Sequence, residues 1–100
     1  MNELEKIRMA QLALQDVLPI FKGRLNLGPR FEEPETRTKL AHTITKIENS
    51  SSVNDLQVAL EMSMEMLKGI WPLNYTWLTG EHHMENMKVA LRGLKGKEDF

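Results

Sequence analysis

The chain contains no cysteine. That one absence removes disulfides, thiolate nucleophiles, iron–sulfur clusters and most structural zinc sites together. A dominant charge is missing as well. Thirteen basic against fourteen acidic side chains leave a net charge of −1, which gives no bulk electrostatic case for nucleic acid or an anionic membrane. No apolar run approaches the ~20 residues that a membrane span needs. The opening MNELEKIRMAQ is charged and amphipathic, where a signal peptide is continuously apolar. The sequons Asn49-Ser50-Ser51 and Asn74-Tyr75-Thr76 therefore read as a helix end and a loop, and a cytoplasmic protein is expected. The six glycines form neither a Walker loop nor a dinucleotide fingerprint, and no serine occupies a Gly-x-Ser-x-Gly turn.

What the chain has in excess is apolar helical surface. One hundred residues make one domain, able to bury roughly two-thirds of the surface its unfolded form exposes. In the segment Val53–Trp71 a step of roughly 100° per residue puts Val53, Leu56, Ala59, Leu60, Leu67 and Ile70 on one stripe. Met64 borders that stripe on one side, and Val58, Met62 and Met66 widen it on the other. Gln57, Glu61, Glu65 and Lys68 are left as a narrow polar strip. A surface helix of a small domain needs an apolar arc of only about a third of its circumference. This one must be wrapped by neighbours or pressed against a partner.

Around it the sequence punctuates three further helices. Asn2 with Glu5 resembles a capping pair, and a first helix follows over about 3–18, where Pro19 ends or kinks it. Leu4, Ile7, Ala10, Leu14, Val17, Leu18 and Phe21 share one face, interrupted by Gln11, with Met9 and Leu12 off the main stripe. Residues 19–34 carry two glycines and further prolines and read as a loop, whose Phe21, Leu25, Leu27 and Phe31 can pack back on the core. Pro34, flanked by Glu32, Glu33 and Glu35, starts a second helix at about 35–49 with a thin stripe of Leu40, Ile44 and Ile47. The Ser50–Ser52 break leads, through the Ser52/Asp55 capping pattern, into the third helix at 53–69. A connector over 70–80 holds both tryptophans and the one tyrosine, and a fourth helix runs over 81–95. The expected fold is all-α, a single bundle of three to four helices, homo-oligomeric through the third.

Each chemical constellation meets a plainer reading. His82 and His83 point about 100° apart on a helix and do not converge on one ion, and His42 lies opposite its helix's apolar stripe. Neither a metal nor a cofactor is expected. Glu32, Glu33 and Glu35 suit a helix N-terminus better than acid–base catalysis, so a non-enzyme is expected. Lys88, Arg92 and Lys95 line one side of the last helix. They could meet phosphates, but cations near a helix C-terminus are what the macrodipole favours. A helix-turn-helix centred on Ser50–Ser52 would present Glu61 and Glu65 to phosphates, which argues against it.

Trp71, Tyr75 and Trp77, with Met62 and Met66, are the residue types of which interface cores are made. Seven methionines add adaptable apolar surface. The expected function is a non-catalytic regulator or inhibitor that binds another protein. Two alternatives stand beside it: a nucleic-acid binder using Lys88, Arg92 and Lys95, and a small nucleotide-sequestering protein. The size and the lack of motifs resemble the style of small accessory proteins of phages and mobile elements.

Overall fold

The computed structural model describes residues 2–28, 30, 33–70 and 77–96, with side chains in 77–80 excepted. It contains four α-helices, α1 (Glu3–Asn26), α2 (Pro34–Asn49), α3 (Val53–Ile70) and α4 (Trp77–Leu94), and no strand among the described residues. None of these helices is long and apolar enough to cross a membrane.

The capping pairs operate as the sequence suggests. Asn2 accepts a hydrogen bond from the Glu5 backbone at 2.8 Å, and Ser52 Oγ accepts one from the Asp55 backbone at 3.1 Å. Pro34 occupies the first turn of α2, where its missing N–H has no intrahelical partner to lose.

Two boundaries differ from expectation. The first helix does not stop at Leu18 but continues through Pro19 to Asn26, so the first half of the expected 19–34 loop is helix. Pro19 sits on the exposed side of α1, where water can satisfy the carbonyl its ring leaves unpaired. On the opposite side Val17 and Phe21 are fully buried. Burying a phenylalanine contributes ~1.5–3 kcal/mol, which with Val17 offsets the ~3 kcal/mol cost of an interior proline. The added turns are also tied to α2. The Arg37 guanidinium donates to the Leu25 carbonyl at 3.0 Å, and Lys22 pairs with Glu48 at 2.8 Å. The stop comes at Gly28, whose φ of +95° suits a residue without a Cβ. Leu27, expected to pack inward, is instead 51% exposed; Phe31 lies outside the described residues.

The fourth helix begins at Trp77, so Trp77–Gly80 belong to α4 and not to a connector. An interior glycine costs a helix only ~1 kcal/mol, and burial of Met84, Met87 and Ala90 one to three turns later outweighs it.

α1 and α3 pack on each other, and both touch α2 and α4, which do not pack against one another among the described residues. The body measures 44 × 28 × 17 Å. Because each helix touches its two neighbours around the ring and α1 and α3 also touch each other, the section is a rhomb with α1–α3 as its short diagonal. The over-apolar α3 is therefore wrapped by all three neighbours. Leu56, Ala59, Leu60, Met66, Leu67 and Ile70 are buried, and Val58, Met62 and Met64 are half-buried. The arc expected to need a second subunit is largely covered within one chain. Among the described residues the most exposed large apolar side chains are on or beside α1: Leu4 at 76%, Leu12 at 53% and Leu27.

Candidate functional site: a groove between α2 and α3

The three-residue Ser50–Ser52 break folds α2 and α3 into an antiparallel hairpin. Its closed end is held by Lys46, whose ammonium lies 3.4 Å from the Asp55 carboxylate. Lys46 is the main reason that Asp55 titrates below the ordinary carboxylate range. Ser50 Oγ donates to the Ile47 carbonyl at 2.8 Å and closes the last turn of α2. Away from this closed end the hairpin carries a groove of about 410 Å³.

Met62, Met66 and Ile70 supply the apolar lining of the groove, and Thr36, Lys39 and His42 form its α2 wall. Glu65 stands on the α3 side, and Gly69, around which a Cβ would find nothing within 4 Å, leaves the wall low there. The volume falls within the ~300–1,000 Å³ of ligand pockets, but the charges lie at the rim and no side chain forms a nucleophile–base pair. The α2 half of this surface was not picked out in the sequence. The available signal was the thinness of α2's stripe, since a helix with only three large apolar core residues must be pressed on a neighbour by something else. Thr43, 2% exposed, does this with its hydroxyl bonded back to the Lys39 carbonyl at 2.8 Å.

Of the sequence candidates, Met62 and Met66 come together here, Met62 half-buried and Met66 8% exposed. Met66 is part of the core and offers the groove only its edge. Trp71 and Tyr75 lie outside the described residues, and Trp77 is helical with no description of its side chain. Of the cationic candidates, two are engaged within the fold. Lys95 is paired with Glu61 at 3.4 Å, and beside it Gln57 donates to the Leu94 carbonyl at 3.3 Å. α3's polar strip thus completes the C-terminus of α4, where carbonyls lack partners. Arg92 is engaged within the fold, and Lys88 is exposed.

His82 and His83 diverge as helical neighbours must, with ring centroids 6.1 Å apart and planes at 58°. His42 is exposed, as expected, and His83 is half-buried with its Nδ1 enclosed and unpartnered. No group of three or more histidine and carboxylate side chains able to hold a metal occurs among the described residues.

No family model, curated protein or solved structure matches the chain.

Proposed function

We propose that this protein is a non-catalytic interaction module of the cytoplasm, a regulator or inhibitor that acts by occupying the surface of another protein. The observation that supports this reading is the methionine-floored groove between α2 and α3. Methionine is unbranched and polarisable, so a floor of Met62 and Met66 can conform to side chains of differing shape. Lys39, His42 and Glu65 give the rim hydrogen-bonding groups of both signs, which is the polar border around an apolar centre that protein interfaces have.

The nucleic-acid reading has less to draw on, because the pairing of Lys95 with Glu61 places a carboxylate inside the proposed phosphate stripe. The nucleotide-sequestering reading rests on aromatics outside the described side chains.

The test is affinity capture with the full chain at physiological salt, run in parallel with a Met62→Glu variant. Partner proteins retained by the parent and lost by the variant are the expected result. Capture that ignores Met62→Glu overturns the proposal. So does retention on heparin that disappears when Lys88, Arg92 and Lys95 are replaced by alanine.

A further inference from the structure

The two walls of the α2/α3 groove carry opposite charge, and this selects among possible occupants. Lys39 and His42 stand on the α2 wall and Glu65 on the α3 side, either side of Met62 and Met66. Among the described residues the His42 and Glu65 side chains have no hydrogen bond or ion pair, and the Lys39 ammonium has only an exposed one-turn contact with Glu35 at 3.5 Å. A uniformly charged partner would be repelled by one wall. A surface that carries the same two walls in reversed order matches both, and the reversed order is what a two-fold axis generates.

We infer that a second copy of this chain packs on the groove, about a two-fold axis parallel to α2 and α3. Such an axis sets the α2 wall of each copy opposite the α3 wall of the other. Lys39 and His42 then face Glu65 of the second copy, twice over, with the Met62 side chains meeting near the axis. Because α2 and α3 run antiparallel, every helix of the resulting four-helix layer has antiparallel neighbours, the arrangement that opposed macrodipoles favour. The apolar area is small, since Met66 and Ile70 are already buried in one chain, so the dimer is a weak one of the micromolar class. The inference rests on reading the groove as a protein-contact surface, and dimerisation would hold that surface closed until a target competes for it.

Sedimentation equilibrium on the full chain, from ~1 to several hundred micromolar, tests this directly, with circular dichroism as a check on folding. The expected result is a reversible monomer–dimer equilibrium. Lys39→Glu and Glu65→Lys should each weaken it by on the order of tenfold, and the double variant Lys39→Glu/Glu65→Lys should recover most of the loss. Met62→Glu should leave monomer throughout. A parent that stays monomeric over the whole range overturns the inference, as does a dimer indifferent to Met62→Glu or single reversals that the double variant fails to rescue. A monomeric parent whose protein capture still depends on Met62 would overturn the second-copy occupant alone. Loss of the Met62 effect in both experiments would remove the functional reading too.

Discussion

Replacing Pro19 by alanine should stabilise the protein, and the size of the gain follows from where α1 runs. Pro19 is exposed in the interior of a 24-residue helix. In that setting proline costs ~3 kcal/mol relative to alanine, through a missing hydrogen bond and a ring clash with the carbonyl one turn back. Part of that cost is already relieved, because the affected carbonyl belongs to Gln15 and lies on the wet side of the helix. Proline also restricts the unfolded chain, which returns ~0.4–1 kcal/mol that alanine would forgo. The net expectation is a gain of about 1–2 kcal/mol, read as a higher urea midpoint at unchanged m-value. In a domain of this size each kcal/mol raises Tm by roughly 4–8 °C. If the helix ended at Leu18, alanine at this position would sit in a loop and would only forgo the ~0.4–1 kcal/mol of unfolded-chain restriction. A midpoint that stays put or falls therefore refutes the continuous α1, and with it the account of Phe21 as a helical core residue.

Three further outcomes are expected. Ser63 Oγ is fully buried in α3 without a hydrogen-bond partner; since a stranded hydroxyl costs ~1–3 kcal/mol in proteins, Ser63→Ala should raise the thermal midpoint, and a destabilised variant would mean that the oxygen is bonded after all. Gly93 is buried where a Cβ would meet only Lys6 Cγ, at an ordinary 3.8 Å, so Gly93→Ala should add up to ~1 kcal/mol through helix propensity, and a loss in chemical denaturation would show the α1–α4 approach to be tighter than that. Asp55, held below its ordinary pKa of 3.8 chiefly by Lys46, contributes stability that is complete above the unfolded-state value and is lost as pH falls from about 4 through the folded one. The Asp55→Asn variant should accordingly be less stable than the parent at neutral pH and converge on it in acid, and a difference that does not depend on pH would remove the ion pair from the explanation.

How much of this was legible in the sequence depends on whether the signal was local. The Asn2/Glu5 and Ser52/Asp55 caps, the Pro34 start and the stripe of α3 each depend on residues within one or two turns, and each appears in the structure. Pro19 reads as a helix end or kink because its local cost is real, and residues 70–80 read as a connector. What overrides them is tertiary, namely the burial of Phe21, Met84 and Met87 in the common hydrophobic core. The true end of α1 did carry its own mark, Gly28 followed by Pro29, the glycine-then-proline order that ends helices. The α2 wall of the groove could not be read from periodicity. Thr36, Lys39 and His42 look like an ordinary solvated face until the Ser50–Ser52 turn sets them against Met62 and Glu65.

The fate of α3's apolar excess decides what kind of association this fold can support. A helix with an uncovered stripe of methionines would be glued permanently to a partner, because its dissociation would expose hundreds of square ångströms of apolar surface at ~25 cal/mol per Å². The structure covers that stripe within one chain by placing α3 on the short diagonal of the rhomb, in contact with all three other helices. Met62, half-buried, and the edges of Met66 and Ile70 remain at the groove. A contact made there gains little from apolar burial and must draw its specificity from Lys39, His42 and Glu65 at the rim. Rim charges tune encounter and register more than they tune affinity, and their effect is screened by salt. Any complex formed at this groove is therefore exchangeable, and the monomer that it releases keeps its core closed.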